Sequence, residues 1–175
     1  TVILLAADQD VHGMFAVADT VKDSSRPAIA ELHALGIKTV MLTGDNAHTA
    51  RAIASQVGID EALGDLLPED KLKAIEAKIG KGGRNSENQK VGMVGDGIND
   101  APALARSDIG FAMGAAGTGT AIETADVALM DDDLRKLPRF VRLSRKTHAL
   151  LVQNIVLALG IKAVFLILTL TGTGT

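Results

Sequence analysis

Lys90-Val91-Gly92-Met93-Val94-Gly95-Asp96-Gly97-Ile98-Asn99-Asp100-Ala101-Pro102 is an apolar run that breaks into glycines, two carboxylates and an amide. The opening five residues leave no room for a polar face, the pattern of a strand buried on both sides. After the break, Asn99 or Asp100 can cap a short helix through Ala101-Pro102-Ala103-Leu104-Ala105, with Pro102 in its first turn. Gly95 and Gly97 permit tight backbone turns, and Asp96 and Asp100 offer the hard oxygens that Mg2+ prefers. In open parallel sheets, ligands bind outside the carboxyl ends of the strands, where this hand-over falls. A plain solvated turn would use the same residue types, so the rest of the chain has to decide.

Working outward, the chain alternates strand and helix. Residues 1–7 and 12–19 form two strand-like runs about Asp8-Gln9-Asp10, a predicted hairpin. Ser25 or Arg26 is expected to cap a helix with Pro27 at its first position, ending at Gly36. Ile37-Lys38-Thr39-Val40-Met41-Leu42 is a strand that runs into Thr43-Gly44-Asp45-Asn46. A helix over 47–57 stops at Gly58, a weak strand covers 62–66, and Pro68-Glu69-Asp70-Lys71 opens a helix to Ile79. Residues 80–89 are a polar, glycine-rich loop with no evident chemistry. Strands over 108–113 and 126–130 and a short helix near 120–124 complete a βαβαβαβαβ order. That order predicts an α/β fold with a mainly parallel sheet and right-handed crossovers.

Composition narrows the function classes. The chain has 175 residues, a formal net charge of −3, no cysteine and four aromatic residues, all Phe. The charge and the lack of Arg/Lys-aromatic interleaving argue against nucleic acid. Without cysteine there is neither a disulfide framework nor a thiolate metal site, and His12, His33, His48 and His148 are too scattered for a histidine site. Thr1-Val2-Ile3-Leu4-Leu5-Ala6-Ala7 has no basic region before it and is too short for a secretory signal.

From Leu134 the character changes. Arg135, Lys136, Arg139, Arg142, Arg145 and Lys146 crowd a helical stretch, and residues 149–170 are then almost wholly apolar. At about 1.5 Å per residue this run reaches roughly 33 Å, against a bilayer core of about 30 Å. The basic residues before it place that side in the cytoplasm. A buried helix of a soluble protein is the alternative, although the run exceeds what one face of this sheet needs. Lys162 lies near its centre, where a lysine costs roughly 2.5–3.5 kcal/mol on insertion scales. It is expected either to snorkel into a wet crevice or to act as a built-in cation beside an acidic ion-binding residue on another helix.

Three further segments carry possible chemistry. Thr43-Gly44-Asp45 joins a hydroxyl to backbone N–H donors at a strand end, a phosphate-holding set that is weak alone. Lys71 sits in the first turn of its helix, where the dipole repels it; it can reach across to a phosphoryl group or simply be solvated. Gly114-Ala115-Ala116-Gly117-Thr118-Gly119-Thr120 lacks the lysine of a phosphate-binding P-loop and is read as structural.

As an ordered set, Thr43-Gly44-Asp45, then Lys71, then Gly95-Asp96-Gly97-Ile98-Asn99-Asp100 resembles the phosphoryl-transfer domains of the haloacid dehalogenase superfamily. The longer stretches Met41-Leu42-Thr43-Gly44-Asp45-Asn46 and Val94-Gly95-Asp96-Gly97-Ile98-Asn99-Asp100-Ala101-Pro102-Ala103-Leu104 are similar to P-type ATPases. Gly110-Phe111-Ala112-Met113-Gly114, the turn at 123–126 and the basic stalk before a membrane helix extend the resemblance over essentially the whole chain. Asn154-Ile155 and Ala158-Leu159-Gly160-Ile161-Lys162 look most like the zinc/cadmium/lead exporters, and the Tyr-Asn pair usual in copper pumps is absent.

The resemblance implies a Rossmann-like, haloacid dehalogenase-like sheet followed by a stalk helix and a transmembrane helix. It divides the chain into the end of a nucleotide-binding domain (1–19), part of a phosphorylation domain (20–132), a stalk (133–148) and a membrane helix (149–171). Asp96 would bind the catalytic Mg2+, with Asp100 ordering that loop. Thr43, Gly44, Lys71 and Asn99 would hold the phosphoryl group donated by ATP, and Asp45 would position it. Lys162, with Asn154, would serve transport of Zn2+, Cd2+ or Pb2+. The implied location is the plasma or inner membrane, with the catalytic part in the cytoplasm.

The chain also departs from the family. No Asp-Lys-Thr-Gly-Thr with its nucleophilic aspartate occurs, and Thr171-Gly172-Thr173-Gly174-Thr175 has no carboxylate to replace it. The Cys-Pro-Cys membrane motif, the nucleotide-binding and actuator domains and the other membrane helices are missing, and Gly119 stands where a polar residue is usual. The chain is therefore expected to be a fragment, inactive by itself and completed by the remainder of the same pump. Two other readings stay open: a phosphatase of the same superfamily, and a non-catalytic Mg2+- or phosphate-binding module that regulates a partner pump.

Overall fold

A computed structural model describes residues 2–7, 10–16, 20–81, 90–95, 98–114, 123–131 and 133–172. The strands are β1 (Val2–Ala7), β2 (Asp10–Ala16), β3 (Val40–Leu42), β4 (Glu61–Leu63), β5 (Gly92–Gly95), β6 (Ile109–Met113) and β7 (Val127–Leu129). The helices are α1 (Ser25–Ala34), α2 (Ala47–Val57), α3 (Pro68–Lys81), α4 (Ala101–Arg106) and α5 (Lys136–Leu170), with a 3-10 turn at Ile98–Asp100.

The expected alternation is present, and every strand pair beyond the hairpin is parallel. A single sheet is not: β3 pairs with β4, β5–β6–β7 form a second unit, and no ladder joins the two among the described residues. The hairpin β1–β2 is antiparallel, as expected, with a register shift between Leu5 and Ala6. Its Leu4, Leu5, Val11, Met14 and Phe15 are exposed.

Alternation along the strands buries both faces of the three-stranded unit. On one face Met93 and Ala112 pack with Ile75 of α3 and with Ala103 and Leu104 of α4, and Leu42 of β3 joins them. On the other face Phe111 and Leu129 pack with Leu137 of α5, flanked by Val94, Leu134 and Phe140. Phe140 meets Phe111 edge-on, with ring centroids 5.3 Å apart.

Local signals fix most helix ends. Asn46 caps α2 by accepting from the Thr49 N–H at 2.8 Å, and Gly58 ends it at φ +86°. The first helix starts earlier than expected: Ser24 takes the N-cap position without a side-chain cap, and Pro27 is the third helical residue rather than the first. The stalk and the apolar run are one unbroken helix, which starts at Lys136 rather than near 133. Asp133 precedes it, and the Arg135 guanidinium forks onto this carboxylate at 2.8–3.0 Å and holds its pKa down to about 2. Helix α5 is long and apolar enough to cross a membrane.

Three aspartates set just before β4, β6 and β7 tie the amino ends of neighbouring strands. Asp60 accepts from the Thr39 N–H at 2.7 Å, Asp108 from the Val91 N–H at 2.9 Å, and Asp126 from the Gly110 N–H at 2.8 Å. The first linkage also explains why β3 is shorter than the run over 37–42. The Thr39 N–H and hydroxyl both donate to Asp60, with the hydroxyl 3.1 Å from His33 Nε2, so of its backbone groups only the carbonyl keeps a ladder bond, from the Glu61 N–H at 3.3 Å.

The Thr39 N–H and hydroxyl pull the Asp60 carboxyl below its ordinary value, and the Val91 N–H does the same for Asp108. A depressed folded pKa stabilises the fold above the unfolded value and loses that contribution as pH falls through the folded one. Thermal unfolding in detergent is therefore expected to hold its midpoint from about pH 7 to about pH 5 and to lose it below roughly pH 4. Asp60→Asn should make that acid limb shallower. An unchanged limb would mean that Asp60 titrates alike in the folded and unfolded chain.

Candidate active site

The Thr43-Gly44-Asp45 turn leaves β3 and is held by the segment that follows β4. Thr43 donates its N–H to Leu63 and accepts from the Leu66 N–H, and Asp45 O accepts from the Asp65 N–H. Within the turn, the Thr43 hydroxyl donates to Asp45 Oδ2 at 3.1 Å and accepts from the Asp45 N–H at 3.1 Å. Thr43 is thereby fixed in rotamer, while Gly44 and Asp45 remain exposed.

Two residues missed by the sequence reading hold this turn in place. A Cβ on Gly64 would stand 2.6 Å from Ala47 Cα and 2.8 Å from Asp45 O, so only glycine lets the two segments approach. Asp65 adopts φ +57°, and its carboxylate accepts from the Ala47 N–H at 3.0 Å, an anion at the positive end of α2. The Gly-Asp pair shortly before Pro68 was the available turn signal. It was covered by the strand expected over 62–66, which ends at Leu63.

Lys71 is not a solvated surface lysine. Its Nζ lies 2.8 Å from Asp100 Oδ1, with the two side chains 17% and 13% exposed. Asp100 occupies the N-cap position of α4, yet its side chain makes no cap hydrogen bond and turns to Lys71 instead. Gly95 permits this, since a Cβ there would meet Asp100 Cβ at 2.7 Å. Lys71 and the Thr43 turn are also linked through the chain: Leu66 binds Thr43 O, and Leu67 O accepts from the Lys71 N–H as α3 begins.

The structure thus places Thr43, Gly44 and Asp45 just past the carboxyl end of β3, and the Lys71–Asp100 pair just past the carboxyl end of β5. Asn99 is exposed in the 3-10 turn beside Asp100. Asp96, its neighbour Gly97 and most of the 114–120 loop lie outside the described residues. Asn154 and Lys162 are exposed on α5 and take no part in this cluster. No group of three or more potential metal ligands occurs among the described residues. The carboxylate oxygens at this sheet edge are still of the hard kind that suits Mg2+.

Residues 1–108 match the sequence model of the haloacid dehalogenase-like hydrolases. The chain belongs to that family. Within it, the chain is 52% identical over 173 residues to a probable cadmium-transporting ATPase of Staphylococcus aureus, covering 98% of this chain and 21% of that protein. It is 48% identical over 172 residues to a zinc/cadmium/lead-transporting P-type ATPase of Escherichia coli, again with 98% of this chain and 22% of the relative. A crystal structure of a zinc-transporting PIB-type ATPase in its E2.Pi state superposes with a TM-score of 0.83 at 47% identity, over 98% of this chain and 27% of that one. The resemblance to P-type ATPases is therefore borne out, and the chain spans about a fifth to a quarter of the length of these relatives.

The pair at the centre of this hydrolase-family site sets a stability test. Lys71→Ala leaves the Asp100 carboxylate half-buried without its partner and should destabilise by roughly 1–3 kcal/mol. Lys71→Ala with Asp100→Ala should cost less than the two single changes added together. Denaturant unfolding of the four proteins in detergent checks this, and strict additivity would mean that the pair is not coupled. Gly64→Ala should cost about as much through steric conflict alone.

Proposed function

We propose that this chain is part of an ATP-driven exporter of a divalent heavy-metal cation of the Zn2+, Cd2+ or Pb2+ kind. It supplies the Mg2+- and phosphoryl-holding portion of the phosphorylation site and one membrane helix. The observation that carries the reading is the enclosed Lys71–Asp100 pair, its lysine tied through Leu66 and Leu67 to the Thr43 turn, in a chain that continues into a membrane-length helix.

Thr43 and the N–H groups around Gly44 would hold oxygens of the transferred phosphoryl group, with Asn99 and Lys71 opposite and Asp45 fixing the Thr43 hydroxyl. Asp96, with Asp100 ordering its loop, would hold Mg2+, whose chemistry is to neutralise phosphoryl charge. Catalysis of this kind is mostly placement and charge neutralisation.

The nucleophilic carboxylate would come from the remainder of the pump. Among the described residues β3 and β5 each pair on one side only, and Leu42 of β3 packs with Met93 of β5 in one cluster. A strand entering between them would bring its carboxyl end to Thr43 and Asp100. The apolar hairpin β1–β2 is the return from the nucleotide-binding domain, which would cover its exposed side chains. The stalk portion of α5 lies in the cytoplasm, and the run over 149–171 spans the membrane.

Two experiments test the reading. The chain alone, incubated with labelled ATP and Mg2+ and acid-quenched, should stay unlabelled, and a hydroxylamine-sensitive label on it would defeat the fragment reading. In the full-length pump Asp96→Asn should abolish or greatly slow phosphorylation, while the surface change Lys38→Ala should not. Lys162→Ala should leave phosphorylation possible and weaken its dependence on Zn2+ or Cd2+. Normal metal-stimulated transport in that variant would remove Lys162 from the ion path.

A further inference from the structure

Asp65 is the one non-glycine residue with left-handed backbone among the described residues, at φ +57°. That conformation costs an L-residue stability, and such positions gather at functional sites. Glycine would adopt the same φ without strain, so the choice of aspartate calls for a use of its carboxylate. Two bonds supply one. The Asp65 N–H donates to Asp45 O at 2.6 Å, and Asp65 Oδ2 accepts from the Ala47 N–H at 3.0 Å. Asn46 is thereby gripped from both sides at the junction of the Thr43 turn with α2. Its own side chain is spent on the Thr49 N–H at 2.8 Å, which leaves the Ala47 N–H to Asp65. Asp45 in turn holds the Thr43 hydroxyl, as acceptor through Oδ2 and as donor through its N–H, both at 3.1 Å. The next residue, Leu66, donates its N–H to Thr43 O at 3.1 Å.

We propose that Asp65 is a positioning residue for phosphoryl binding: by bracketing Asp45 and Ala47 it keeps Thr43 and the Gly44 N–H in the arrangement that accepts phosphoryl oxygens. The inference rests on the pump reading above. Asp65 acts through Asp45 and Thr43 and touches neither the phosphoryl group nor Mg2+. Both Asp65 and Asp45 are exposed, so the bracket adds little to the stability of the whole fold and its effect is local. Without the carboxylate the Thr43 turn spends only part of its time in the binding arrangement. Apparent phosphoryl affinity then falls by that fraction, while the site once filled is unchanged. The Ala47 N–H is a backbone donor and needs an oxygen acceptor rather than a charge, so an amide at position 65 suffices.

The test uses the full-length pump with labelled inorganic phosphate as the probe. With Mg2+ present, the nucleophilic carboxylate of the pump forms an O–P bond and water leaves, and acid quench preserves the label. Asp65→Gly and Asp65→Ala should each raise the half-saturating phosphate about tenfold while the maximal label stays near wild type. Asp65→Asn tolerates left-handed backbone and keeps an acceptor oxygen, so it should stay within about twofold of wild type. Thermal unfolding of the same proteins separates positioning from stability. Glycine fits φ +57° and alanine does not, so the two should differ in midpoint yet agree in phosphate dependence. The proposal is overturned if both keep the wild-type phosphate dependence, or if the maximal label falls instead. It is overturned too if alanine is impaired well beyond glycine in step with its lower midpoint, the mark of a merely structural residue, or if Asp65→Asn is as impaired as Asp65→Gly. A wild-type protein that takes no label from phosphate or ATP would fail the pump reading itself and the positioning role with it, a result distinct from the others.

Discussion

An ammonium and a carboxylate held 2.8 Å apart in a largely enclosed position restrict the residues around them. Each charge depends on the other to offset lost hydration, so neither Lys71 nor Asp100 can change alone without leaving a half-buried charge. The geometry then reaches outward. Asp100 must lean back over the end of β5, which only Gly95 allows. Lys71 must sit in the first turn of α3, against the helix dipole, because from there its side chain spans to the far strand. Ile75, one turn on, presses α3 onto Met93 and Leu104, so the apolar contact that holds the helix also holds the lysine. The candidate site and the core are in this sense one construction.

Carboxylates do different work at the two ends of the sheet. At the amino ends, Asp60, Asp108 and Asp126 are consumed by backbone N–H groups of neighbouring strands. This closes donors that would otherwise be unpaired beyond the short ladders. At the carboxyl ends, Asp45 and Asp100 bind a hydroxyl and an ammonium, and the exposed Gly44 and Asn99 leave polar groups turned to solvent. One edge is thus saturated, and the other keeps polar groups exposed. The difference lies in partners rather than composition, since both edges are rich in Asp, Gly and Thr.

That distinction marks how far the sequence alone could be read. Helix α2 came out with both ends right because its signals are local: Asn46 caps it three residues away and Gly58 supplies the left-handed stop. The handover at Gly95 and the parallel pairing were likewise fixed by apolar runs and residue order. The strand clamps were not, because each joins residues 16 to 21 positions apart, and an aspartate before a strand reads as an ordinary turn. The Lys71–Asp100 pair spans 29 positions, so its lysine was weighed as a surface residue. The division of the sheet could not be foreseen from β3 and β5 themselves. What they lack is pairing on one edge, and periodicity describes the faces of a strand and not its edges.

The same reasoning bears on α5. Among the described residues it joins the domain's core through its first turns, and from Leu150 to Leu170 its leucines, valines and isoleucines are exposed. Water is a poor surrounding for such a surface, and the domain offers no second face to cover it. A bilayer meets the need along its length, and the crowd of Arg and Lys residues that ends at Lys146 fits a boundary just before the apolar run. Lys162 is the one charge that this surrounding does not accommodate. A helix that needed only to anchor the domain would have no use for it, so its presence argues that α5 faces other polar groups within the membrane. On the proposed reading, such a rod would join the phosphoryl-holding domain at one end to a cation within the membrane further along.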